Sequence, residues 1–135
     1  MSATGNILIV DDDPVLRLVA CEMLGQEGYT VSEAEDGAVA VRMLQDQPAD
    51  LVVIDMLMPN KEGLETIQEI KARWPETRVV AISGGGRGLK SDYLLHMARS
   101  LGADAIYEKP LRAAGFMEVV SSTIAGGGSS AAEAV

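Results

Sequence analysis

Cysteine and histidine are nearly missing from this chain, with Cys21 and His96 the single examples of each among 135 residues. One thiol excludes an intrachain disulfide and fits a reducing compartment. Cys21 falls in a probable helix, where it reads as a small buried hydrophobe. One isolated histidine argues against a nitrogen-ligated metal site, so His96 reads as a solvated helix residue. Basic residues are also scarce, 11 Lys and Arg against 20 Asp and Glu, giving a net charge of −9. A nucleic-acid surface needs clustered Lys and Arg, so that class of partner is excluded. There is no basic-then-apolar leader and no apolar run of membrane-spanning length, so the expectation is a soluble cytoplasmic protein without membrane contact.

What is present is a globular composition, 47% hydrophobic and 23% charged. The length allows one domain with a real core but not a second one. Residues 1–125 are read as that domain. Residues 126–135, opening Gly126-Gly127-Gly128-Ser129-Ser130, are read as a flexible Gly/Ser/Ala tail.

Short apolar runs alternate with stretches of helical periodicity. Asn6-Ile7-Leu8-Ile9-Val10 is a strand, followed by a helical stripe of Leu16, Val19, Ala20, Met23 and Leu24 that ends at Gly25 and Gly28. Tyr29 to Ala34 reads as a second strand, Asp36-Gly37 as a turn, and Ala38 to Gln45 as a helix stopped near Pro48. Leu51-Val52-Val53-Ile54 is branched and apolar on both faces, which marks a strand covered on both sides. A helix from about Glu62 to Arg73, a strand over Arg78–Ile82, a helix from about Lys90 to Leu101, a strand over Ala105–Glu108 and a helix to Ile124 complete the pattern. Strands each followed by a helix give an α/β fold with a parallel sheet covered on both faces. Right-handed crossovers make the sheet doubly wound, with order 2-1-3-4-5 expected for five strands in this flavodoxin-like arrangement. Strands 1 and 3 are then neighbours where the winding reverses, the edge at which such sheets bind ligands.

Four strands end in chemically useful residues: Asp11-Asp12-Asp13, Asp55, Ser83 and Lys109-Pro110. Carboxylates brought together by Asp11, Asp12 and Asp55 repel one another unless a cation neutralises them, and an oxygen-only set favours Mg²⁺ or Mn²⁺ over zinc. Asp13, directly before Pro14, reads as a helix cap. Lys109 is a compact cation suited to Asp55 or to a phosphoryl oxygen, and Ser83 offers a hydroxyl. Taken singly, Lys109 is equally a surface lysine and Ser83 a strand terminus. Mg²⁺ commonly shares its shell with phosphate oxygens, so the constellation invites a phosphoryl ligand.

This set resembles the receiver domain of two-component response regulators. The matching pieces are Ile7 to Pro14, Glu35-Asp36-Gly37, Asp50 to Pro59, Gly63, Ile82-Ser83-Gly84, Gly102-Ala103-Asp104 and Lys109-Pro110, spanning about residues 6–124. The resemblance implies that Asp55 takes a phosphoryl group from a phosphohistidine of a histidine kinase or histidine phosphotransfer protein. It implies Mg²⁺ held by Asp11, Asp12, Asp55 and the backbone carbonyl of Leu57, with Ser83 and Lys109 reading the phosphorylated state. It also implies a stand-alone signalling phosphoacceptor whose output is contact with a downstream protein target. Val15 and Leu18 fall off the apolar stripe of the first helix and are candidates for docking a helical, histidine-bearing partner.

The sequence departs from the family pattern in three places. The aromatic residue often found three positions before the lysine is Ile106 here, and Tyr107 follows on the opposite face. Ser83 to Gly88 is rich in glycine, which predicts a mobile loop. Leu57 is apolar where some relatives are polar, and it is expected to shield an acyl phosphate from water. Two other classes are weighed. A Mg²⁺-dependent aspartyl-phosphate phosphatase or phosphotransferase of the haloacid dehalogenase type would use Asp11-x-Asp13. A phosphorylation-independent pseudo-receiver would leave the acid set unused. A flavodoxin-like nucleotide binder is disfavoured because no glycine-rich phosphate loop follows the first strand.

Overall fold

The computed structural model describes residues 4–56, 63–84 and 89–126. Five parallel strands, β1 (Asn6–Val10), β2 (Thr30–Ala34), β3 (Leu51–Asp55), β4 (Arg78–Ser83) and β5 (Ala105–Glu108), form one sheet in the order β2-β1-β3-β4-β5. Helices α1 (Pro14–Gln26), α2 (Gly37–Asp46), α3 (Gly63–Arg73), α4 (Leu89–Ser100) and α5 (Ala113–Ile124) follow the strands in turn. This is the doubly wound sheet expected. Among the described residues no helix is long and apolar enough to cross a membrane.

Side chains alternate across a strand, so each central strand feeds two cores. Leu8, Val10, Val52, Ile54, Val79 and Ala81 pack on one face with Ala40 and Leu44 of α2 and Ile67 and Ile70 of α3. Ile7, Ile9, Leu51, Val53, Val80 and Ile82 pack on the other with Ala20 and Leu24 of α1 and Phe116 and Val120 of α5. The β1–β3 register sets Val10 opposite Ile54, and the β3–β4 register sets Asp55 opposite Ile82. Acidic side chains that follow Val10 and Ile54 are therefore carried to the same sheet edge.

Three local expectations need correction. Asp36-Gly37 is not a free-standing turn. The Asp36 carboxylate accepts from the Val39 amide at 2.9 Å and caps α2, whose first residue is Gly37. An Asp-Gly pair serves either role, and the helix that follows decides which. Gly25 does not end α1, which continues to Gln26 before Gly28 turns the chain with φ of 108°. Val19 does not belong to the buried stripe, being 43% exposed. Ala20 and Leu24 carry the buried line one residue further round the helix, leaving Val19 outward with Val15, four residues earlier. Cys21 is half-buried, as a packing residue would be. Burial and the nearby Glu33 carboxylate push its thiol up to about 11, so it stays protonated at neutral pH.

Gly63 opens α3 where the helix comes closest to the end of β3. A Cβ there would lie 2.5 Å from the Asp55 carbonyl oxygen and 2.7 Å from the Met56 Cα. Both neighbours are backbone, so they cannot swing aside as a side chain would. Gly63→Ala is expected to force α3 away from the Asp55 backbone and destabilise the fold by roughly 1–3 kcal/mol. Urea unfolding measures this, and an unchanged midpoint would mean that the helix start relaxes freely.

Candidate functional site

The end of β1 delivers Asp11, fully buried, and then Asp12, exposed to solvent. The turn that carries them is held by one backbone bond and one bond from backbone to side chain. The Asp11 amide donates to the Ala34 carbonyl of β2 at 3.2 Å, and the Asp13 amide donates to Asp11 Oδ1 at 2.9 Å. Asp13 itself caps α1, its carboxylate accepting from the amides of Val15 at 2.9 Å and Leu16 at 3.4 Å. Asp55 arrives from β3, 4% exposed. Ser83 ends β4, 1% exposed, and its carbonyl accepts from the Lys109 amide at 2.8 Å. The β4–β5 ladder thus extends one residue to fix the lysine backbone. The Lys109–Pro110 peptide is cis.

Lys109 Nζ lies 3.2 Å from Asp11 Oδ2 and 3.4 Å from Asp55 Oδ2. Only the Asp55 contact has hydrogen-bond geometry, which leaves Asp11 Oδ2 buried with an ion-pair neighbour but no hydrogen bond. Burial would pull the Lys109 ammonium down, but the Asp55 and Asp11 carboxylates outweigh it and hold the group above its ordinary value. Asp11 is pushed up to about 6. Burial is the main cause, the Asp13 amide opposes it, and the Asp55 charge adds to it.

Carboxylate oxygens of Asp11, Asp12 and Asp55 all lie within 4.8 Å of one another. Three hard oxygen donors, from a set in which Asp11 also carries a buried oxygen lacking a hydrogen bond, fit a hard divalent cation such as Mg²⁺. Asp12 is the solvent-facing member of the three.

The structure therefore brings together Asp11, Asp12, Asp55, Ser83 and Lys109. Leu57, with its expected carbonyl ligand and its expected shielding role, lies outside the described residues, as does the glycine-rich segment 85–88. Val15 and Leu18 are 66% and 59% exposed on α1. Val15 borders an open cleft of about 420 Å³ that Val19, Lys109, Pro110 and Leu111 also line, whereas Leu18 is not among its lining residues. His96 is exposed, as expected.

Sequence reasoning missed Arg17. Its Nη1 donates to the Asp11 carbonyl at 2.6 Å and its Nε to Glu33 Oε1 of β2 at 2.9 Å. The available signal was an arginine early in a helix directly behind an acidic strand end, because helical side chains lean back toward the N-terminus.

The family model for the response regulator receiver domain matches residues 7–121. The chain is 32% identical over 120 residues to the chemotaxis protein CheY of Bacillus subtilis, covering 88% of this chain and 97% of that one. It is 38% identical over 105 residues to the transcriptional regulatory protein CpxR of Klebsiella pneumoniae, covering 78% of this chain but only 43% of CpxR. The solved receiver domain of NtrX from Brucella abortus superposes with a TM-score of 0.82 at 30% identity, covering 89% of this chain and 98% of that one.

The raised Asp11 carboxyl sets a pH dependence. Folded, Asp11 holds its proton to about pH 6; unfolded, only to near its ordinary value of 3.8. Between these values the folded state binds more protons, so stability falls as pH rises and stays lower above the window. Asp11→Asn is expected to abolish that slope and to raise metal-free stability at pH 7 by roughly 1–2 kcal/mol. Urea midpoints in EDTA from pH 4 to 7 read this, and a mutant no more stable than wild type at pH 7 would contradict it.

Proposed function

The chain belongs to the response regulator receiver domain family, and from that premise we propose that Asp55 accepts a phosphoryl group from a phosphohistidine. The supporting observation is Lys109 Nζ seated between Asp55 and Asp11 at an otherwise acidic sheet edge. An Asp55 carboxylate oxygen attacks phosphorus, the new P–O bond forms, and the P–N bond breaks with its electron pair returning to the imidazole. The product is an aspartyl phosphate on the protein. Phosphoryl transfer needs positioning and charge neutralisation more than covalent help.

Lys109 would supply part of that neutralisation, and its amide is held by the Ser83 carbonyl. Asp11, Asp12 and Asp55 would hold Mg²⁺, with the Leu57 carbonyl as the further oxygen the family pattern implies. When bound, Mg²⁺ would offset the charge of the carboxylates and of the phosphoryl oxygens. The Ser83 hydroxyl would donate to a phosphoryl oxygen once the group is in place. A histidine kinase or histidine phosphotransfer protein is the donor. The exposed Val15 and Leu18 beside the acidic edge suit an apolar helical face on it. Output then passes to a downstream protein through loops biased by Ser83 and Lys109.

A phosphatase using Asp11-x-Asp13 fits less well, because the Asp13 carboxylate is occupied by the α1 cap.

Intact mass after incubation with Mg²⁺ and acetyl phosphate tests the proposal. Wild type is expected to gain a single phosphoryl group that Asp55→Asn does not. A wild type that takes neither the phosphoryl group nor a beryllofluoride mimic would overturn it.

A further inference from the structure

We infer that Arg17 is a positioning residue for the cation site, holding the peptide between Asp11 and Asp12 so that the two flanking carboxylates converge on a small divalent ion. The inference rests on the proposed cation site. The Asp11 carbonyl belongs to the peptide that links those two acids. A peptide group is planar, so holding its oxygen restrains ψ of Asp11 and with it the plane from which Asp12 departs. The Arg17 bond to that oxygen is short, at 2.6 Å, and charge-assisted. The guanidinium is oriented by a second contact, its Nε donating to Glu33 Oε1 at 2.9 Å. The Arg17 side chain is 16% exposed, so solvent competes weakly for the contact.

The remaining ties on the turn act elsewhere. The Ala34 carbonyl takes the Asp11 amide, and Asp11 Oδ1 takes the Asp13 amide. Neither touches the Asp11 carbonyl. The Asp13–Asp11 bond spans the linking peptide and limits its rotation, so losing Arg17 would widen that rotation rather than release it, letting Asp12 shift relative to Asp11. Mg²⁺ demands near-ideal short-range geometry, whereas Ca²⁺ accepts longer and more variable ligand distances. A rigid linker between the two acids thus favours Mg²⁺, and a loosened one erodes that preference more than it erodes Ca²⁺ binding.

Calorimetric titration of Mg²⁺ and of Ca²⁺ into wild type, Arg17→Ala and Arg17→Lys tests this, alongside urea midpoints for each. Arg17→Ala is expected to weaken Mg²⁺ binding about 10-fold. Ca²⁺ binding is expected to change by no more than about 2-fold. Arg17→Lys, which keeps a cation able to reach the carbonyl but lacks the fork that also grips Glu33, is expected to fall between. It carries the test if Arg17→Ala does not fold. A lowered urea midpoint with both ion affinities unchanged would overturn the inference and leave Arg17 a plain tether of α1. A wild type that binds Mg²⁺ but takes no phosphoryl group would sink the phosphoacceptor reading while leaving this inference standing. A wild type that binds neither ion would remove both.

Discussion

Burial of two carboxylates against one ammonium at the edge of a parallel sheet is the constraint around which this molecule is arranged. Asp11 and Asp55 are almost entirely withdrawn from water, and Lys109 reaches both. Like charges with oxygens within 4.8 Å repel by roughly 3–4 kcal/mol at the effective screening of a protein surface. For Asp11, the attraction to Lys109 does not fully offset that repulsion together with the cost of burial. The consequence is visible in Asp11, whose carboxyl is pushed up to about 6 chiefly by its burial, with the neighbouring Asp55 charge adding to it. The folded protein thus holds an electrostatic cost that a divalent cation can relieve. Ligand binding and stability are linked at this edge by the same charges.

The cost is tolerated because the surrounding frame does not depend on it. Two apolar clusters, one on each face of the sheet, fix β1, β3 and β4. At the far end of the sheet, Lys71 Nζ bonds the Thr77 carbonyl at 3.0 Å and Asp104 Oδ2 at 3.2 Å, while Asp104 also accepts from the Val79 amide at 2.8 Å. These contacts tie the end of α3 to the starts of β4 and β5. Gly63 lets α3 press against the backbone of Asp55 and Met56 at the functional end. The acids are therefore held by packing and backbone bonds, and repulsion between them cannot relax by spreading the strands.

Most of this site could be read in the sequence because it is built from strand ends. The run Leu51 to Ile54 reads as a strand covered on both faces, and three other strand ends with useful residues give its exit residue weight as a site. Strand order followed from short right-handed crossovers, and it brought Asp11, Asp55, Ser83 and Lys109 together without knowledge of any distance. What escaped was whatever depends on a tertiary bond to backbone. Arg17 acts through a carbonyl, and a carbonyl has no residue-type signature. Asp36 satisfies the requirements of a turn and of a helix cap equally well until α2 is seen to start at Gly37. Val19 differs from Ala20 by one helical step, too little for a hydrophobic stripe to resolve. Gly63 could be matched to a pattern, but the reason for it is a 2.5 Å approach that no spacing encodes.

Around Lys109 the departure at Ile106 and Tyr107 has a structural account. Ile106 packs against the cluster beneath α2, α3 and α4, and Tyr107 against the cluster beneath α1 and α5. The Tyr107 ring meets Phe116 edge-on, with centroids 5.7 Å apart at 63°. Its hydroxyl accepts from the Arg112 amide at 3.2 Å, and a Cβ at position 115 would come within 3.2 Å of that oxygen, so Gly115 leaves the room it occupies. Tyr107 thereby clasps the two ends of the segment that carries Lys109, Pro110 and Leu111. Together with the Lys109–Ser83 backbone bond, this holds the lysine main chain at both sides. The backbone beneath the cation that faces Asp55 is thus tied on both sides, at Ser83 and at Tyr107. A change of charge at Asp55 that moves this stretch of backbone acts against the contacts with Ser83 and Tyr107.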